Sequence, residues 1–105
     1  MKIKDLFIEE EATIEAIHQL KKQIVEKEFQ KETYELDLWV NTNFKALNLT
    51  NSDQRKAYIK KEMADITNQI STLKNDLLYS ENYLRLIKNK QKFMLEFHMD
   101  EIQDE

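Results

Sequence analysis

The chain contains no glycine, no proline and no cysteine among its 105 residues. Average usage in a chain of this length would give roughly seven glycines and five prolines. Tight hairpins and β-bulges draw on glycine for positive φ and on proline for a fixed φ. Their joint absence therefore disfavours sandwiches, barrels and glycine-rich phosphate cradles, and favours long helices joined by few connections. Lack of cysteine removes disulfides and thiol nucleophiles, and agrees with a reducing, cytoplasmic setting. No apolar run approaches the ~18 residues that a membrane span needs. The opening Met1-Lys2-Ile3-Lys4-Asp5 lacks the apolar segment of a signal peptide. A membrane is not expected as a partner.

What is present is a periodic, charged chain. Charged residues make up 34% and hydrophobic residues 41%, with a net charge of −4. The mean hydropathy is −0.72 and the pI about 5.3. The abundance and spacing of Ile, Leu, Phe, Tyr and Met argue against disorder. The acidic balance disfavours the basic surface that general nucleic-acid binding requires, and it is too mild for a mimic of DNA.

On a wheel of about 100° per residue, Ile3, Leu6, Phe7, Ile14, Ile17, Leu20, Ile24, Val25, Phe29, Leu36 and Trp39 fall within one half. This predicts an amphipathic helix over 3–41. Tyr34 to Val40 also alternates like a short strand, but a lone strand without a partner has no ladder to join, so the stretch reads as helix. A second helix is predicted over 51–99, with a connector at 42–50 and an acidic tail at 100–105, the whole forming one domain. Along the second helix Ile59, Met63, Ile66, Ile70, Leu73, Leu77, Ser80, Leu84, Ile87, Gln91, Met94 and His98 follow spacings of four and three. That is a heptad seam over more than five repeats, the signature of coiled-coil packing. Ser80 and Gln91 are polar positions in it that can set register.

The predicted fold class is all-α: a long antiparallel helical hairpin with coiled-coil packing, assembling into a four-helix dimer or a larger bundle. The motive for assembly is a second stripe, Tyr79, Tyr83, Leu86, Phe93 and Phe97, which one antiparallel helix cannot cover together with the first. A two-helix hairpin also buries little core of its own. These five residues are the candidate self-association surface. Charge agrees with a hairpin: Asp5, Glu9, Glu10, Glu11 and Glu15 start the chain, and Arg85, Lys88, Lys90 and Lys92 return near its end.

The connector carries its own signals. Trp39 to Thr42 closes the first helix, and Thr42 can cap a turn through Asn43 to Leu47. Asn48 stands where a chain without glycine needs a residue tolerant of the left-handed conformation. Thr50 can accept from the amide of Asp53 as a helix cap, with the Asp53 carboxylate reaching back. Phe44, Leu47, Leu49 and Tyr58 would pack over the end of the hairpin.

The run Asn43-Phe44-Lys45-Ala46-Leu47-Asn48-Leu49-Thr50-Asn51, followed by Arg55, Ala57 and Tyr58, resembles a motif of small helical proteins encoded by phages and prophages of low-GC Gram-positive bacteria. In that family a helix ends near an aromatic, a "T-D/N-F/W-K-x-L-G-L-T-N" turn follows, and "R-x-A-Y" opens a long polar helix. The match is close over 43–58 and one of general character beyond. Asn48 stands where the family pattern has Gly. The resemblance implies an early-region phage protein encoded near replication or recombination genes, and it implies no particular chemistry. Asn-, Ile- and Lys-rich usage, as in AT-rich genomes, agrees with that origin. Phe44, Lys45, Leu47, Arg55 and Tyr58 are the candidate partner-binding residues.

Catalytic patterns are missing. Glu15 and His18 form one E-x-x-H element, but a di-iron bundle needs a second, and Leu95 precedes His98 at the matching place. His18 reads as a surface residue and His98 as a fraying helix end. Ser52, Ser71 and Ser80 have no evident base. No catalytic residue, metal ligand or cofactor is expected. The expected function is a non-enzymatic protein-interaction module, a phage protein acting on a protein partner in DNA replication, recombination or host takeover. Alternatives are an inhibitor of a host defence or DNA-processing enzyme that uses acidic helix faces, and a structural scaffold. Nucleic acid is the weakest partner class, resting on the basic block near Tyr83 and Phe93.

Overall fold

The computed structural model describes residues 2–101. It is an all-α helical hairpin in topology: α1 (Ile3–Asn41), α2 (Ser52–Glu62) and α3 (Ala64–Glu96). No strand forms among the described residues, and one isolated antiparallel bridge pairs Lys2 with Glu101. The carbonyl of Asp100 accepts from the amide of Ile3 at 2.9 Å. The acidic tail expected over 100–105 is thus tied down at its first two residues, and its remainder, 102–105, lies outside the described residues. Tyr34 to Val40, ambiguous by alternation, is helical.

The second helix is not continuous. It divides at Met63, whose backbone has φ −93° and ψ 0°. This is the bridge region of conformational space, outside the helical basin. Met63 still donates to the carbonyl of Ile59 and accepts from the amide of Thr67, each at 3.0 Å. The bond pattern spans the break, so the heptad phase survives it. No Gly or Pro marks the position, which is why residue types do not announce it.

The chain divides into two compact units, Met1–Lys22 with Lys74–Glu105 and Gln23–Leu73. In the first, the start of α1 runs antiparallel to α3 around buried Leu6, Ile87 and Met94, with Ile3 packed against them. In the second, the end of α1 turns through the connector into α2 and the start of α3, and Ile24, Ile59, Met63 and Ile70 are buried.

The seam predicted from Ile59 to Met94 is the inward face: all eleven of its positions are buried or half-buried. The predicted face of α1 needs correction. From Ile3 to Ile24 its seam is Ile3, Leu6, Glu10, Thr13, Ile17, Leu20 and Ile24, spaced by threes and fours, while Phe7, Ile14, Val25, Phe29 and Leu36 are exposed. A straight wheel at 3.6 residues per turn drifts about 20° per heptad from a 3.5 repeat. Across α1 that drift carries several apolar residues off the seam.

The connector turn and the end of α3 both close without glycine, and they use one device. At the connector, Leu49 donates to Phe44 O at 2.9 Å and Asn48 to Lys45 O at 3.1 Å, with Asn48 at φ 57°. At the end of α3, Met99 donates to Met94 O at 2.8 Å and His98 to Leu95 O at 3.4 Å, with His98 at φ 51°. Both are Schellman closures, in which a left-handed residue lets two amides satisfy orphan carbonyls of the last turn. Asn48 behaves as expected. His98 is corrected from a fraying end to an ordered stop. The caps shift as well. Asn43, rather than Thr42, caps the short turn through the amide of Ala46. Asn51, rather than Thr50, caps α2 by accepting from the amide of Gln54 at 2.8 Å. Gln54 Oε1 accepts in return from the amide of Thr50, because a glutamine at the third helical position reaches the chain entering the helix.

A left-handed residue with a Cβ costs about 1–2 kcal/mol, less for asparagine and nothing for glycine. Asn48→Ala should therefore lower stability by about 1 kcal/mol, and Asn48→Gly should hold or raise it. Thermal melts of the two variants check this, and a glycine variant melting below the alanine one would contradict the assigned closure.

Candidate protein-interaction sites

The connector brings together three of the five residues singled out for partner binding. Phe44 lies between Trp39, at 5.7 Å between ring centroids, and Tyr58, at 6.4 Å in an edge-on arrangement. The Arg55 guanidinium covers the Phe44 ring at 5.3 Å, and its Nε donates to Leu49 O at 3.0 Å. Aromatic pairs of this kind contribute about 0.5–1.5 kcal/mol beyond burial, and an exposed cation–π contact about 0.5–1. The order Phe44, Arg55, Tyr58 thus has a structural role: it clamps the turn onto the ends of α1 and α2. Lys45 and Leu47 do not join that clamp. Both are exposed, Leu47 at 47%. Trp39, not singled out for the site, completes the cluster. Its spacing of five from Phe44 falls outside helical periodicity, so a wheel cannot pair them.

Beside the clamp, a groove of about 320 Å³ is lined by Trp39, Ile59 and Met63, with Lys31, Glu35, Lys56 and Lys60 around them. Three lysines against one glutamate make it a surface suited to an acidic segment.

The aromatic stripe lies along α3. Tyr79 is 74% exposed and Phe97 62%, with Leu86 and Phe93 also exposed. The Phe93 and Phe97 rings meet at 4.7 Å between centroids, tilted by 42°. Tyr83 is fixed differently: its hydroxyl donates to Glu9 Oε2 at 2.8 Å. In the seam, two turns further along α3, Gln91 Nε2 donates to Glu10 Oε2 at 2.7 Å. Gln91 is the buried polar side chain among the described residues, and its carboxylate partner meets its need for a bond. Two acids of the N-terminal cluster thus take neutral donors across the helix pair, where attraction to the basic block was expected to serve. Neutral donors at fixed geometry set register more sharply than exposed ion pairs, which contribute little.

Sequence reasoning missed Leu78 and the α1 residues Val25, Phe29, Leu36 and Val40, all more than half exposed. A 3.5-residue repeat applied to α1 would have placed the last four outside the seam. Among the described residues no group of three or more His, Asp or Glu side chains comes together. Glu15 accepts from the side chain of Gln19. No helix among them is long and apolar enough to cross a membrane. No protein-family model matches the chain, and neither a curated protein nor a solved structure matches it.

The Tyr83 hydroxyl is held above its ordinary pKa of 10.0, chiefly by its hydrogen bond to Glu9, then by burial and the Glu9 charge. A raised folded-state pKa means that the bond's stabilisation is present in full below the unfolded value and fades as pH rises through the folded one. Wild type should exceed Tyr83→Phe in melting temperature at neutral pH, and the gap should close above about pH 10. A gap that stays constant into alkali would show that the bond makes no contribution.

Proposed function

We propose that this protein is a non-enzymatic, self-associating helical interaction module. The observation that carries the reading is the exposed stripe of Tyr79, Tyr83, Leu86, Phe93 and Phe97, which remains on α3 after its seam is filled by α1. Large apolar side chains repeated along one exposed helix face are candidates for an interaction surface. A second helix pair supplies what a thin two-layer core lacks.

The resemblance over 43–58 supports a place among early phage or prophage proteins, acting in a host cytoplasm on a protein partner in DNA replication, recombination or host takeover. Because Phe44, Arg55 and Tyr58 hold one another, the partner contact of the connector falls to Lys45, Leu47 and the lysine-lined groove. A partner segment that is acidic and apolar fits that chemistry.

Sedimentation velocity tests the self-association. Wild type should sediment as a dimer or larger at micromolar concentration, and Leu86→Glu with Phe93→Glu should reduce it to a monomer of unchanged helicity. A wild-type monomer, or an oligomer indifferent to both charges, would overturn the reading.

A further inference from the structure

Three asparagines on α3 recur at one heptad position: Asn75, Asn82 and Asn89. Asn68 continues the interval in sequence, so every asparagine of α3 falls on it. Between them stand Tyr79, Leu86 and Phe93, also seven apart. The two sets interleave by fours and threes, and all six side chains are exposed. At about 100° per residue this stripe lies on the side of α3 opposite the seam that receives α1. It is a second seam, in which apolar and amide layers alternate.

Solvent alone does not account for it. Asparagine is a poor helix former, and exposed helix faces are better served by Glu, Lys or Gln. An asparagine in a coiled-coil seam has a known physical use: it specifies register and the number of strands, at a cost in stability. The orientation follows from which residues would meet. In a parallel pair in register each position faces its own copy. Asn75, Asn82 and Asn89 then meet asparagines, whose amides donate and accept reciprocally, and Tyr79, Leu86 and Phe93 meet apolar copies. In an antiparallel pair the two kinds of layer face each other, and each desolvated amide loses its partner to an aromatic or leucine side chain.

We infer that a second copy of this chain covers the Asn75-to-Phe93 stripe, parallel and in register. This rests on the self-association proposed above and names its surface and direction. A different protein would need asparagines at the same interval to satisfy these amides, whereas a second copy carries them by identity. On the flanks Leu78 meets Tyr83 of the other copy, and Arg85 meets Lys90. The like-charged Arg85–Lys90 pair makes the association tighten as salt screens it.

The chain has no cysteine, so single substitutions give an unambiguous test. Asn75→Cys, Asn82→Cys and Asn89→Cys are each oxidised mildly and read on a non-reducing gel, with sedimentation of the reduced forms alongside. A disulfide needs Cα atoms about 4.4–6.8 Å apart, and neighbouring test positions are about 10.5 Å apart along the helix. The parallel pair predicts that all three variants cross-link to their own copies. Cross-linking at only one or two of the three positions would overturn the parallel, in-register arrangement, one alone being the result of an antiparallel pair. A dimer in sedimentation with no cross-link at any position would overturn the surface while leaving self-association intact. A monomer in sedimentation would remove the self-association on which the inference rests.

Discussion

Glu10 and Gln91 meet at 2.7 Å inside a seam whose buried apolar residues include Leu6, Ile17, Ile87 and Met94, and the alignment of α1 with α3 depends on that meeting. An apolar seam of repeating Ile, Leu and Met is nearly indifferent to a slip of one heptad. A slip would leave the Gln91 amide buried without its carboxylate. Burying a polar group unpaired costs about 1–3 kcal/mol, which is large against the stability of a domain this small. Tyr83 on Glu9 acts in the same sense at the edge of the seam. The direction of the pair is then confirmed at its end, where Lys2 and Ile3 bond to Asp100 and Glu101.

The absence of glycine makes the two ends of this arrangement informative. A chain with glycine stops helices cheaply. This one closes its connector turn at Asn48 and α3 at His98, residues that carry a Cβ into left-handed backbone. Each closure joins two apolar residues through the backbone, Leu49 to Phe44 and Met99 to Met94, the positions at which an apolar contact often accompanies such a motif. At the connector the support goes further, because Arg55 holds both the Phe44 ring and the Leu49 carbonyl. The order Phe44, Arg55, Tyr58 is therefore a folding device, and Lys45 and Leu47 stand outside it.

Most of the fold could be read from spacing. The bounds of α1 and the inward face from Ile59 to Met94 follow from periodicity, because a heptad phase sustained over many turns has few competing explanations. The face of α1 does not follow from a straight 3.6 wheel, because its seam from Ile3 to Ile24 keeps a 3.5 repeat. The caps were displaced by one residue because Thr50, Asn51 and Ser52 all suit the role, and only the reach of Gln54 decides among them. The break at Met63 has no residue-type signature. Partners such as Glu10 with Gln91 depend on register between helices, which one helix's pattern does not contain. The asparagine recurrence was open to view in the sequence, but its meaning needed the structure, which shows that the stripe lies outside the seam.

One face of α3 is thus paired within the seam, and the other is left exposed. The division holds only if the polar layer fixes the inward face. A double-mutant cycle on Glu10→Leu and Gln91→Leu, measured by urea unfolding, tests that most directly. The account predicts that each single change destabilises by about 1–3 kcal/mol and that the double change recovers most of the loss. Strictly additive losses would mean that the two side chains act independently, and would contradict it.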